Sequence, residues 1–186
     1  MSHDYDTLVV FTSTYASVDD ATHDFEAIKT LYHDLKVIDT FDAAVLEKQP
    51  NGKVKIVKKH EQPTRDAAKT GAGLGLATGL VVALFPGARI GAALVAATTG
   101  IGAAIGALAG HVTGGMSRGD LKELGETLDT GSAGLVVIAA SDIEEKVRTA
   151  LKKAVKTIRK QIKADRKALE KELEQAAKEE AAVARR

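Results

Sequence analysis

The apolar and polar positions of the chain change rhythm several times, and each rhythm predicts an element. Thr7-Leu8-Val9-Val10-Phe11-Thr12 is an unbroken apolar and β-branched run, which predicts a buried strand. Ser17 followed by Asp20 has the reciprocal spacing that caps a helix start. Behind it Val18, Ala21, Phe25, Ile28, Leu31, Tyr32 and Leu35 recur at helical steps and form one face. Asp19, Asp20, His23, Asp24, Glu26, Lys29 and Asp34 are assigned to the opposite, solvated face.

A second apolar run, around Phe41 and Ala43-Ala44-Val45-Leu46, leads through Pro50-Asn51-Gly52 into Lys53-Val54-Lys55-Ile56-Val57. Asn-Gly between two apolar runs predicts a tight hairpin, because both residues accept positive φ. The lysines alternating with Val54 and Ile56 leave one face of that strand in water. Much later, Leu121, Leu124 and Leu128 mark a short helix, and Ala133-Gly134-Leu135-Val136-Val137-Ile138-Ala139 an uncharged strand. The order β-α-β-β-α-β predicts an α+β fold with a ferredoxin-like antiparallel sheet, centred on residues 8–11 and 135–139. Residues 1–65 and 116–158 would make up this domain.

Between the halves lies a different composition. Residues 71–115 hold 12 of the 17 glycines and a single Lys, Arg, Asp or Glu, Arg89. Pro86-Gly87 divides this stretch, so residues 66–115 are predicted to form an inserted helical hairpin. Gly71, Gly75 and Gly79 repeat every four residues, as do Gly102, Gly106, Gly110 and Gly114. That spacing puts glycines on one helical face, where two backbones can approach closely. Glycine costs a helix about 0.5–1 kcal/mol against alanine, so its repeated use implies recovery through tight packing. Residues 90–110 are uncharged and long enough to span a bilayer, while the first arm is short and no aromatic belt flanks either. The alternatives for this hairpin are insertion in lipid, burial by its own domain or between subunits of an oligomer, and a loose, unpacked insert.

Charge changes the picture at the other end. Net charge is +1 overall, but residues 142–186 carry 14 Lys and Arg against 9 Asp and Glu. Ser141 with Glu144 predicts a second helix cap, and Ile143, Val147, Ala150, Leu151, Val155, Ile158 and Ile162 an apolar stripe. Lys152, Lys153, Lys156, Arg159, Lys160 and Lys163 surround it, so a long basic amphipathic helix is expected, its stripe docked on the sheet to about Val155 and its basic face suited to an anionic membrane surface or a partner helix. The absence of aromatic residues there disfavours nucleic acid, which is read by stacking as well as by phosphate contacts. Residues 159–186 are expected to be a charged helical extension.

Little in the chain points to chemistry. There is no cysteine, which removes disulfides, zinc ribbons and thiol nucleophiles. The start of the chain lacks a basic n-region and an apolar core, so no secretory signal is expected and a cytoplasmic location, or the inner face of the membrane, is. His3, His23, His33, His60 and His111 have no metal-binding spacing, and Asp20, His23 and Asp24 read as solvated polar residues. His111 is assigned to a helix end. The glycine runs lack the Gly-Lys-Ser/Thr ending of a phosphate loop and the strand that precedes a dinucleotide fingerprint. No cofactor, small-molecule substrate or enzymatic reaction is inferred.

The arrangement resembles a family of bacterial uncharacterised proteins, often labelled membrane proteins of unknown function. The resemblance rests on Leu8-Val9-Val10-Phe11, Asp19-Asp20-Ala21, Asp42-Ala43-Ala44-Val45-Leu46 and the Asn51-Gly52-Lys53-Val54 hairpin. It also rests on the Gly/Ala insert, Leu121-Lys122-Glu123-Leu124-Gly125-Glu126-Thr127-Leu128 and Gly131-Ser132-Ala133-Gly134-Leu135. It spans about residues 6–158 and implies no catalytic residues. Two functions follow as expectations. One is a non-enzymatic membrane-associated interaction module, anchored by the glycine hairpin and the basic helix. The other is a soluble homo-oligomeric scaffold that buries the hairpin between subunits.

Overall fold

In the computed structural model, residues 5–35, 41–60, 76–85, 88–90, 93–94, 117–129 and 131–165 are described. The first apolar run lies in β1 (Tyr5–Tyr15), and α1 (Val18–Leu35) follows it. The expected cap forms: Ser17 Oγ accepts the Asp20 N–H at 3.1 Å and donates to Asp20 Oδ2 at 2.9 Å. β2 (Asp42–Lys48) and β3 (Val54–His60) make the hairpin, with Gly52 at φ 76° in its turn.

This hairpin carries a bulge. Val45 pairs with Lys58 but Leu46 pairs with Ile56, so Val57 is the extra residue. The bulge reverses the alternation of β3. Val54 and Ile56 pack beneath one face of the sheet, whereas Lys58 emerges on the other face. There it forms an ion pair with Glu26 of α1 and sits 5.6 Å from the centre of the Phe25 ring.

The remaining elements are α2 (Leu76–Leu84), β4 (Arg89–Ile90), β5 (Ala93–Leu94), α3 (Arg118–Asp129) and β6 (Ala133–Ala140). A 3-10 turn (Ser141–Ile143), α4 (Glu144–Ala150) and β7 (Lys156–Asp165) complete the order. The sheet runs β5-β4-β3-β2-β6-β1-β7. Each of its five long strands is antiparallel to the long strands beside it, and the short β4 lies parallel to β3. The two runs expected at the centre are direct neighbours, with Leu8 opposite Ala140 and Phe11 opposite Val137.

The ferredoxin-like arrangement with a long C-terminal helix does not form. Strand count and order both overturn it: β6, not β3, lies between β1 and β2, and a further strand, β7, occupies the outer side of β1. Consequently β1-α1-β2 and β6-α4-β7 are two interleaved β-α-β units. β1 and β2 run parallel with β6 between them, and β6 and β7 run parallel with β1 between them.

The basic amphipathic helix is corrected for the same reason. α4 ends at Ala150, and residues 156–165 pair with β1 from Tyr5 to Thr14. Ile158 and Ile162 are four apart, a spacing that satisfies a helical face and a strand face equally. The decision falls to β1, whose outer N–H and C=O groups would otherwise lack strand partners. The second cap also fails: Ile143 caps α4 without a side-chain hydrogen bond, because residues 141–143 have wound into the 3-10 turn. A cap that was not singled out forms at α3, where Ser117 Oγ accepts the Asp120 N–H at 3.0 Å.

Helices cover both faces of the sheet. Ala21, Phe25, Ile28 and Tyr32 of α1 pack with Ile143 and Val147 against Val9, Phe11, Ala43, Val45, Leu135 and Val137. On the other face Ala77, Leu80 and Val81 of α2 and Leu124 and Leu128 of α3 pack against Leu8, Val10, Leu46, Ile56, Val136 and Ile138. Alternation along β1 and β6 feeds both cores, which is why residues 8–11 of β1 and the whole of β6 are apolar without interruption.

Part of the glycine-rich segment therefore belongs to this domain. α2 is the first arm, with Gly79 buried within it. The second arm is not helical at its start: β4 and β5 pair with each other, and β4 extends the sheet beside Lys55 and Ile56. Gly71, Gly75, Gly102, Gly106, Gly110 and Gly114 lie outside the described residues, as do the Pro86-Gly87 turn, His3, His111 and residues 166–186. Among the described residues, no helix is long and apolar enough to cross a membrane.

Candidate functional site

The feature that residues from several elements converge on is the attachment of β7. It begins at a buried carboxylate. Asp24 of α1 is fully buried. Its Oδ2 accepts the Tyr15 hydroxyl at 3.2 Å and the Lys153 backbone N–H at 2.8 Å, while Oδ1 lies 3.4 Å from His23 Nδ1. Burial, with the neighbouring Asp24 charge and hydrogen bond, pushes the Tyr15 phenol well above its ordinary range. The neutral hydroxyl is thus held as a donor to the carboxylate. The connector before β7 is tied down again where the Val155 N–H meets the Thr14 carbonyl at 2.8 Å, and Ser13 Oγ lies 2.7 Å from Thr157 Oγ1.

Further along, β7 is fastened from both faces. Arg159 turns toward α4, with Nη2 2.6 Å from Glu144 Oε2. Lys160 turns toward α3, with Nζ 2.6 Å from Glu123 Oε2 and 2.9 Å from Asp120 Oδ1. These carboxylates raise the Lys160 ammonium, and Lys160 with Ser117 holds the Asp120 carboxyl below its usual range. Ile158 completes the contact by packing at the margin of the α2–α3 core.

This geometry separates the six basic residues expected to share one anionic-surface face. Lys152 and Lys153 are exposed in the connector, and Lys156 is exposed at the strand start. Arg159 and Lys160 leave opposite faces and are already ion-paired. Lys163 stands in β7 opposite Thr7. A strand alternates its side chains, so a charge set that is continuous on a helix is divided in two.

Asp24 was assigned to solvent and is instead inside. The helical wheel carried the signal: at 3.6 residues per turn, Asp24 falls within the arc bounded by Leu31 and Phe25. Of the other anchors of β7, Glu144 carries a cap signal in the sequence but instead meets Arg159, while Asp120 and Glu123 give no local signal because their partner Lys160 is distant in sequence. Asp20, His23 and Asp24 do not converge as a ligand set. Asp20 caps α1, and both Asp24 oxygens are engaged by the protein. Among the described residues, no three His, Cys, Asp or Glu side chains gather as a metal site.

A second polar and aromatic cluster lies at the end of α1. Tyr32 stacks on Phe41 with ring centres 4.3 Å apart, and Phe41 on His60 at 4.7 Å. Burial, with the Asp142 and Asp42 charges, pushes the Tyr32 phenol upward. Its buried hydroxyl has no hydrogen-bond partner among the described residues. The stack seals the α1 core where β2 begins.

These features define a three-layer domain, helices on both faces of an antiparallel sheet, whose last strand is pinned by polar anchors. The family of proteins of unknown function designated DUF1269 matches residues 68–176, more than half of the chain, and the chain belongs to it. That match differs from the expected extent of residues 6–158. It continues through β7 to residue 176, so the start of the charged tail is family sequence rather than an addition. No curated protein and no solved structure matches the chain.

Proposed function

We propose that this protein is a non-enzymatic scaffold module that works as an assembly of its own copies. The observation that carries the reading is the docking of α2. Ala77, Leu80 and Val81, from the first apolar arm of the glycine-rich segment, are fully buried against the sheet and α3. This packing of α2 on the protein's own sheet supports a protein rather than a lipid setting for the segment. The glycines at 102, 106, 110 and 114 suit close backbone approach, and a second copy supplies the same small-residue surface. The ion-paired state of Arg159 and Lys160 also weighs against a basic membrane anchor, since both charges already have carboxylate partners.

The test is purification without detergent followed by mass measurement in solution. A mass of two or more chains is expected, and Gly106→Leu should lower it, because a bulky side chain separates closely packed backbones. A monomer at working concentration, or material that stays in the membrane pellet through carbonate washing, overturns the reading.

A further inference from the structure

We infer that the outer edge of β7 is a contact between two copies of this chain, paired antiparallel across a two-fold axis at Ile162. The inference deepens the scaffold reading and rests on it. Among the described residues the sheet ends on one side in the two-residue β5 and on the other in the ten-residue β7. Among the described residues no strand pairs with the outer side of β7. Alternate residues of an edge strand direct their N–H and C=O groups outward, as a template for another strand. The Asp24, Ser13, Glu144, Asp120 and Glu123 anchors present that template in a fixed position.

Charge selects both the occupant and its register. In an antiparallel pair, outward-directed residues must face outward-directed residues, so a symmetric β7 pair places its axis on a residue. An axis at residue 158 sets Lys156 against Lys160 of the second copy. Axes at 159, 160 and 163 set Arg159, Lys160 and Lys163 against themselves. An axis at 161 sets Arg159 against Lys163. Like charges directly opposite are destabilising. Axes nearer either end of the strand join only a few residues.

The axis at Ile162 alone among the longer overlaps avoids every such clash. It joins residues 159–165 of each copy and sets Arg159 opposite Asp165 twice, Lys160 opposite Ala164, and Gln161 opposite Lys163. A guanidinium has five donors, so Arg159 can keep Glu144 and still meet a second carboxylate. The lysines that discourage indiscriminate strand addition thereby leave one symmetric register open.

The absence of cysteine makes the register directly readable in the full chain. Across a strand pair the two axial Cα atoms stand about 4.5–5.5 Å apart, within disulfide reach. Positions two residues off the axis are about 14 Å from their symmetry mates. Mild oxidation should therefore cross-link Ile162→Cys into a dimer about tenfold faster than Lys160→Cys. A charge series keeps Ile162 native, in case its replacement disturbs folding. Asp165→Arg should lower the dimer fraction at unchanged melting temperature, and Asp165→Glu, which keeps the charge opposite Arg159, should leave it in place.

Equal cross-linking at both positions, or no loss of dimer in Asp165→Arg, overturns the inference. A multimer that Gly106→Leu dissociates but Ile162→Cys does not cross-link sinks the edge contact and leaves the scaffold reading standing. A cross-linked dimer whose mass Gly106→Leu leaves unchanged upholds the edge and removes the glycine segment from the assembly. A chain that is monomeric by mass at every concentration sinks both.

Discussion

Tyr15 and Asp24 form a buried hydroxyl–carboxylate pair at 3.2 Å, and the same carboxylate oxygen holds the backbone N–H of Lys153. The pair joins β1 to α1 and, through Lys153, sets the point from which the chain enters β7. Because Asp24 is fully buried, its hydrogen bonds are expensive to leave unmade.

Tyr15→Phe should therefore destabilise the domain by about 1–3 kcal/mol, since it removes a donor from a buried carboxylate. Asp24→Ala should cost more, because it orphans both the Tyr15 hydroxyl and the Lys153 N–H. Urea denaturation measures the loss, and hydrogen exchange should quicken first at residues 153–157. Tyr32→Phe is the contrast. Its hydroxyl is buried without a partner among the described residues, so removal should be neutral or stabilising.

Alkaline pH should act through the same tyrosines. Both phenols are raised in the folded state, so their contribution is whole below about pH 10, the ordinary tyrosine value. As pH climbs from there toward the raised values, the unfolded chain ionises first and stability is lost. Phenolate absorbance for Tyr15 and Tyr32 should appear together with loss of circular dichroism. Ionisation while the fold stays intact would contradict the buried placement.

Acid should weaken the fastening of β7 to α3. The Asp120 carboxyl is lowered by Lys160 and Ser117, so its contribution is present above the ordinary carboxylate range. It is lost as pH falls below about 4 and through the depressed folded value. The raised Lys160 ammonium contributes below its ordinary value near pH 10 and declines above it. Lys160→Met should flatten the acid limb of a stability–pH profile, and added salt should shrink the difference, since the pair lies at the surface.

Two glycines should respond to alanine for different reasons. At Gly131 a Cβ would stand 3.0 Å from the Ala133 carbonyl oxygen and 3.0 Å from Thr14 Cβ. Overpacking of that kind costs about 1–3 kcal/mol. At Gly52 the space is open but φ is 76°, and a side chain in that region costs about 1–2 kcal/mol. Thermal melts should show both losses. Asparagine at position 52, which tolerates positive φ, should recover part of the loss there but not at 131.

Local order was legible wherever neighbours in sequence supply the interaction. The Ser17–Asp20 cap, the α1 stripe through Phe25 and Ile28, the Asn51-Gly52 turn, the α3 leucines and the uncharged β6 all depend on contacts within a few residues, and each formed. What only the tertiary structure decided involves long separations. Residues 156–165 carry a spacing that suits helix and strand alike, and the open side of β1, some 150 residues earlier, makes them a strand. That choice divides the basic residues between two faces and gives Glu144, Asp120 and Glu123 their partners. It also brings the Lys153 N–H to Asp24, 129 residues away. Strand order follows the same logic: β6 enters between β1 and β2 because it is apolar on both faces and so needs strands on both sides and helices above and below. Periodicity records which face of an element is apolar, but not which distant edge it will satisfy, because backbone hydrogen bonding between strands is the same for every sequence.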